Sequence, residues 1–402
     1  MFSPISEILD ELRNGRIIVL TDDEDRENEG DLVMAAEFVT PEAISFMVRE
    51  AAGYLCLSLT ERDCDRLDLP PQASVNTSVR GTPFTVSIDG HPKHGLTTGV
   101  SAKERARTIR MAIDPDLEAN DFVRPGHINP LRARDGGVLV RIGQTEGSID
   151  LCRLAGLYPA AVIIEIMRED GEMARLPDLE TFCKDHKLKM CSVRQLIEHR
   201  LSSEPFIQRL DPVEGTPIQT PLGTFNCTAF RSLVDPLPHL ALTVGDVGTL
   251  APDGSVIETN EPTLVRVHRR DLLGDIFDDL STPLSAPTPG PGPDATMTSS
   301  GRMLRESMRM IQDAGRGAVV YLRPHGIGES LSQRLSRPFG TDTTDAPINS
   351  VPHATLEYGT GSQILRALGV RTMKLLTNSD AEYPQLDAFG LTIAERVPVI
   401  PR

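Results

Sequence analysis

The stretch Asp22-Asp23-Glu24-Asp25-Arg26-Glu27-Asn28-Glu29-Gly30-Asp31 carries seven acidic residues in ten, with Arg26 as its one base. Carboxylates held this close repel one another unless positive charge sits among them. A divalent cation would supply it, and Mg2+ typically takes one or two carboxylates and keeps several waters. Arg26 offers a planar fork for a phosphate or carboxylate ligand. The alternative for such a run is a solvated acidic loop. Four other places could do chemistry. His127 stands in Arg124-Pro125-Gly126-His127 and reads equally as a loop residue or a proton carrier. Glu165 ends an apolar run, where a surface glutamate is the plainer reading. Arg141 and Thr145 bracket Gly143 at a turn into a helix, whose free N–H groups would accept a phosphate. Cys56 reads first as a buried strand thiol.

Elements must hold these residues. Ile17–Leu20 and Leu32–Ala36 have strand length and turn residues around them, so the acidic run connects two core strands. Ser3-Pro4 starts a first helix with Ile5, Ile8, Leu9 and Leu12 on one face, stopped at Asn14-Gly15. Further helices are expected from Thr40-Pro41 to Gly53, from Ser101 to Ile113, from Glu146 to about Leu154, over Pro177–Lys187 and over Val193–Arg200. Strands are expected at Tyr54–Leu59, Pro83–Ile88, Gly136–Ile142 and Ala160–Met167. Helices and strands alternate with no sustained βαβ period, which gives an α+β fold.

The chain has 402 residues, enough for two domains. A net charge of −16 speaks against nucleic acid or an anionic membrane surface as partner. No apolar run reaches membrane-spanning length, and the N-terminus lacks a basic region with an apolar core. The six cysteines form no C-x-x-C pair, as suits free thiols in a reducing cytoplasm.

The acidic decapeptide and its following strand resemble the signature of the 3,4-dihydroxy-2-butanone 4-phosphate synthase family. Asn76-Thr77-Ser78, Thr97-Thr98-Gly99-Val100-Ser101, Arg124-Pro125-Gly126-His127, Gly136-Gly137-Val138-Leu139 and Met173-Ala174-Arg175 extend the resemblance over residues 1 to 200. It implies an α+β domain that converts D-ribulose 5-phosphate to 3,4-dihydroxy-2-butanone 4-phosphate and formate with Mg2+ or Mn2+, in a homodimer. Carried over residue by residue, Glu27 and position 144 are metal ligands, and His127, Glu165 and Asp31 are catalytic. Arg26, Glu27, Asp31, Cys56, Thr98, Arg141, Gly143, Gln144, Thr145 and Glu165 contact the sugar phosphate. The family has histidine where this chain has Gln144, which can ligate through its carbonyl oxygen but carries no proton at working pH. Ser74-Val75 also replaces an acid and an amide ahead of Asn76.

After an expected linker at 201–219, residues 220–402 resemble GTP cyclohydrolase II, through Thr220–Phe225, Val265-Arg266-Val267-His268, Tyr358-Gly359-Thr360-Gly361 and Leu375-Leu376-Thr377-Asn378. That family binds zinc through three cysteines. Here Asp271 stands at the first position, and the Pro-rich segment Ser281–Thr298 stands at the other two. Ala354-Thr355-Leu356 and Pro324-His325-Gly326-Ile327 replace its catalytic and nucleotide-binding runs. No zinc and no GTP hydrolysis are therefore expected. The leading expectation for the whole chain is lyase chemistry in riboflavin biosynthesis. The alternatives are a paralogue acting on another sugar phosphate, or a non-catalytic binder of a ligand or partner.

Overall fold

The structure is a computed structural model. It describes residues 2–22, 26–78, 81–232, 235–259, 261–280, 286–287, 297–323, 353–379 and 386–400. Among the replaced runs noted above, Pro324–Ile327 and most of Ser281–Thr298 lie outside the described residues. The described residues divide into two compact units, one up to Arg200 and one from Leu201 onward.

In the first unit, α1 (Ile5–Arg13) buries Ile5, Ile8, Leu9 and Leu12 as one stripe. Thr40 caps α2 (Pro41–Glu50), and Ser101 caps α4 (Ala102–Ala112), each hydroxyl accepting a first-turn N–H. A shorter helix, α3 (Glu61–Arg66), lies between them in sequence. The strands are β1 (Ile18–Thr21), β2 (Gly30–Ala35), β3 (Cys56–Leu59), β4 (Ile88–Gly90), β5 (Phe122–Arg132), β6 (Ala161–Glu165) and β7 (Met190–Ser192). They form one mixed sheet in the order β4-β5-β3-β6-β2-β1-β7. Leu32, Met34, Leu57, Leu59, Val162 and Ile164 point to one face and pack with Ile44 and Met47 of α2 and Ala106 and Ile109 of α4. The opposite face receives α5 (Gln144–Leu154), whose Ser148 hydroxyl donates to Ser58 Oγ at 3.1 Å. Helices α6 (Leu176–His186) and α7 (Val193–Ser203) complete the series. Five of the six cysteines are buried in this unit, and Cys227 of the second is half-buried.

Four sequence expectations change. Gly136–Ile142 is no strand: Gly137–Leu139 is a 3-10 turn. Gly136 and Gly137 have φ of 93° and 63°, outside strand geometry, and the Asp150 carboxylate of α5 fills the space a side chain at 137 would need. Arg124–His127 is neither free loop nor regular strand. Ile88 pairs with Ile128 while Asp89 pairs with Val123, so residues 124–127 bulge from β5. Pro83–Ile88 makes only isolated bridges before β4, because Thr85 N–H donates to Pro130 O and Pro130 has no N–H to return. The fourth is the linker at 201–219, which carries the end of α7 and two strands, β8 (Ile207–Arg209) and β9 (Thr216–Thr220), both paired to the next strand.

The second unit is built on β10 (Gly223–Ser232), β11 (Asp235–Val244) and β12 (Thr263–Arg269). Helix α8 (Leu272–Phe277), the two-residue strands β13 (Ala286–Pro287) and β14 (Met297–Thr298), and α9 (Ser300–Ala314) follow. Then come β15 (Gly317–Leu322), α10 (His353–Ala367), β16 (Thr372–Leu376) and β17 (Thr392–Val397). The sheet order is β17-β16-β12-β15-β11-β10-β8, with β9 on β10. Each unit is thus an α+β domain with its own mixed sheet.

Candidate active site

Strand register assembles the site in the first unit. Asp31 of β2 lies directly opposite Glu165 of β6, and directly opposed residues share a sheet face. Cys56 of β3 is opposite Ile163, two residues from Glu165, and is also the parallel partner of Asn129. His127 is two residues before Asn129, with Ile128 between them turned into the core. Asp31, Glu165 and Cys56 therefore stand on one face across three adjacent strands, the face that carries α5, while His127 sits in the bulge at 124–127 against Asp89 of β4.

The acidic turn closes over this face. Asp22 organises it: Oδ1 accepts Glu29 N–H at 2.8 Å, and Oδ2 accepts Glu27 N–H at 3.0 Å and Arg26 Nη1 at 2.8 Å. The same Arg26 nitrogen donates to Glu27 Oε2 at 2.7 Å and to Gln144 Oε1 at 3.0 Å. Arg26 is buried. The open fork expected from the sequence is thus engaged within its own turn, because a guanidinium among carboxylates pairs with the nearest of them. Arg175 reaches in from before α6 and donates to the carbonyls of Glu27 and Asn28. Asp23, Glu24 and Asp25 lie outside the described residues.

Charge in the site is lopsided. Burial, and then the neighbouring Glu165, Glu29, Asp22 and Glu27, hold the Asp31 carboxyl well above the ordinary carboxylate range. Asp31 Oδ1 is buried without a hydrogen-bond partner among the described residues. Burial and the charge of Glu27 lift Glu29 to about 7. Glu165 Oε2 is steadied by Tyr54 N–H at 2.7 Å. Tyr54 Oη in turn donates to Asn129 Oδ1 at 2.8 Å. Cys56 is buried, and burial pushes its thiol far up.

Gly143 is the N-cap of α5, and Gln144 and Thr145 open the helix, both buried. Arg141 Nη1 donates to the fully buried Glu146 Oε2 at 2.6 Å, and Glu146 Oε1 accepts Arg134 N–H. Thr98 is exposed, in a turn whose next residue, Gly99, packs on Asp89. Asp89 is the participant that sequence reading missed: its Oδ2 lies 2.6 Å from His127 Nδ1 and its Oδ1 accepts His127 N–H at 3.0 Å. Nothing local marks Asp89, 38 residues before its partner.

Among the described residues, no three His, Cys, Asp or Glu side chains converge on a metal position. The donors that do meet, a carboxylate of Glu27 and a carboxamide oxygen of Gln144, are hard oxygens. Together with the unpartnered Asp31 Oδ1 they suit a Mg2+-type ion that keeps most of its waters.

In the second unit, Asp271 is fully buried at the N-cap of α8. Beside it Asp275 gathers four hydrogen bonds: Oδ1 with His268 Nε2 at 3.0 Å and Ser300 Oγ at 2.7 Å, Oδ2 with Tyr321 Oη at 2.7 Å and Asp271 N–H at 3.0 Å. Burial alone would raise its pKa, but bonds from His268, Tyr321 and Ser300 hold it down at about 2. This network ties β12, α8, α9 and β15 together, with His268 Nδ1 buried and without a hydrogen-bond partner among the described residues.

Comparison with known proteins agrees with this layout. The family model for 3,4-dihydroxy-2-butanone 4-phosphate synthase matches residues 6–199, and that for GTP cyclohydrolase II matches 212–288 and 294–398. The riboflavin biosynthesis protein RibBA of Aquifex aeolicus (strain VF5) is 44% identical over 404 residues, covering 99% of this chain and 92% of that protein. The probable bifunctional riboflavin biosynthesis protein RIBA 1, chloroplastic, of Oryza sativa subsp. japonica is 44% identical over 408 residues, covering 99% of this chain and 70% of that protein. The crystal structure of RibBX, a two domain 3,4-dihydroxy-2-butanone 4-phosphate synthase from A. baumannii, superposes with a TM-score of 0.74 at 34% identity, covering 98% of this chain and 99% of that one. The chain belongs to the riboflavin biosynthesis family in which a 3,4-dihydroxy-2-butanone 4-phosphate synthase domain precedes a GTP cyclohydrolase II domain.

Proposed function

We propose that the first domain converts D-ribulose 5-phosphate to 3,4-dihydroxy-2-butanone 4-phosphate and formate, and that the second domain does not hydrolyse GTP. The observation that carries the first part is the pairing of Asp31 and Glu165 on one sheet face with Cys56, beside a turn that Arg26 ties to Gln144. His127 takes a proton from the sugar phosphate at Nε2, the ring nitrogen that Asp89 leaves open. Glu165, fixed by Tyr54 N–H, orients a substrate hydroxyl or accepts its proton. Asp31 is a buried acid that keeps its proton at pH values where an ordinary aspartate has lost it, so it can donate one. The first N–H groups of α5, at Gln144 and Thr145, face the phosphate. Glu27 and Gln144 would hold Mg2+ or Mn2+, which when bound supplies Lewis-acid polarisation of a substrate oxygen.

For the second domain the supporting observation is Asp275. The position where the first zinc-binding cysteine is expected holds the buried Asp271, beside a hydrogen-bond network centred on Asp275. The relative from A. baumannii, a two domain synthase, supports a reading in which both domains serve one reaction. The rice relative, named as probable bifunctional, marks the contrast.

Formate release from ribulose 5-phosphate tests the first part, with and without chelator. Metal-dependent formate confirms it. None from a folded, Mg2+-loaded chain overturns it, and favours the second reading, a paralogue taking another sugar phosphate, which Gln144 in place of the family histidine supports. One equivalent of zinc on the full chain together with formate from GTP overturns the second part.

A further inference from the structure

Among the described residues, the His127 ring is held from one side only, by Asp89. Both carboxylate oxygens are committed to the same residue: Oδ2 to the ring Nδ1 at 2.6 Å and Oδ1 to the main-chain N–H at 3.0 Å. A carboxylate can only accept, so the ring nitrogen facing it carries the proton. Nε2 is left as the lone-pair nitrogen. Asp89 is buried while the His127 side chain is 43% exposed, so the carboxylate backs the imidazole and the far edge meets solvent.

The frame around Asp89 is built for this contact. The bulge at 124–127 lifts His127 out of the ladder and over β4. The turn at Thr98-Gly99 closes behind the carboxylate: a Cβ on residue 99 would lie 2.1 Å from Asp89 Oδ2, and φ there is +84°. Glycine at 99 therefore lets the Asp89 carboxylate stand where His127 needs it.

We infer that Asp89 is a positioning residue for the proposed lyase reaction: it fixes the His127 tautomer so that Nε2, on the exposed edge of the ring away from Asp89, is the nitrogen that accepts the substrate proton. The inference rests on the reaction proposed above, and its test separates the two. The 15N spectrum of histidine-labelled full-length protein, with His127 assigned by difference against His127→Gln, reads the tautomer with no substrate present. The expected result is protonated Nδ1 and unprotonated Nε2 in the native chain. In Asp89→Asn the carboxamide can donate to Nδ1, so the proton is expected to move to Nε2 and kcat to fall on the order of 100-fold with KM nearly unchanged. Asp89→Glu restores the native tautomer and part of kcat.

A native ring with its proton on Nε2 overturns the inference without any variant, even if Asp89→Asn fails to fold. So does a folded Asp89→Asn with native tautomer or native kcat. If the native chain releases no formate from ribulose 5-phosphate, the reaction proposed above fails, while the spectrum still decides whether Asp89 sets the tautomer.

Discussion

The two domains treat buried carboxylates in opposite ways. In the first, Asp31 is buried beside Glu165, Glu29 and Asp22, one of its oxygens has no partner among the described residues, and its pKa is driven up. In the second, Asp275 accepts from four donors and is driven down to about 2. Desolvation is the first cause acting on both, so the difference lies in the neighbours: like-charged carboxylates around Asp31, hydrogen-bond donors around Asp275. A buried acid that the protein leaves wanting is a place for a proton, a cation or a substrate hydroxyl. One that the protein satisfies fully is a cross-link. By that measure Asp31 is placed to take a ligand or a proton, and Asp275 is placed as a cross-link.

Glu27 breaks or sustains the first half of this contrast. Glu27→Ala removes the charged metal donor and is expected to reduce formate release by about 100-fold or more, since even outer-shell partners of a metal are worth roughly 10- to 100-fold. Loss of the same size on adding chelator to the native chain would place both effects at one site. Formate production untouched by either would show that the acidic turn is a solvated loop after all.

Gln144→His sharpens it. A neutral imidazole on the first turn of α5 is both a ligand and a proton acceptor, so turnover of ribulose 5-phosphate is expected to rise about 10-fold, part of what a general base typically contributes. Titration calorimetry with Mg2+ checks the ligand half separately. A folded, metal-binding variant with unchanged turnover shifts attention to Ser74-Val75, or to another substrate.

The smallest effect is expected at Asp275. Asp275→Asn removes the charged acceptor and is expected to destabilise the second domain by about 2 kcal/mol, the scale of a hydrogen bond to a charged group. Formate release from the first domain should not change. The sign of the pH dependence follows from the depressed pKa. The stabilisation is complete above 3.8, the ordinary value, and is lost as pH falls toward about 2. Acid unfolding of the native chain, compared with Asp275→Asn, reads it directly. Equal acid stability in the two would remove Asp275 from its keystone role.

Local pattern made much of this legible. The stripe of α1, the caps of α2 and α4 and the apolar runs of β1, β2 and β6 follow from residue spacing and N-cap chemistry, which act within one or two turns. What escaped depends on pairs distant in sequence. The bulge at 124–127 exists because β4 and β5 pair with shifted register, and Asp89 matters only because that bulge brings His127 to it. The strand expected over 136–142 failed because two glycines and the carboxylate of Asp150 favour a turn. The supposed linker looked polar and Pro-containing, but its strands are edge strands, where such residues are tolerated. At the site, residue types were readable and their engagement was not: Arg26 and Arg141 both turned inward to carboxylates.

The distribution of cysteines gives the two domains separate clocks. Cys56, Cys64, Cys152, Cys183 and Cys191 are buried in the first, and burial lifts the thiols of Cys64, Cys152 and Cys191 to about 12 and that of Cys183 to about 11. A thiolate is the reactive form, so alkylation of these five at neutral pH must wait for the chain around them to open. Cys227, half-buried on β10, reports alone for the second domain. Mass spectrometry of a timed alkylation would thus record two independent opening rates on one polypeptide, five mass increments belonging to one domain and a single increment to the other.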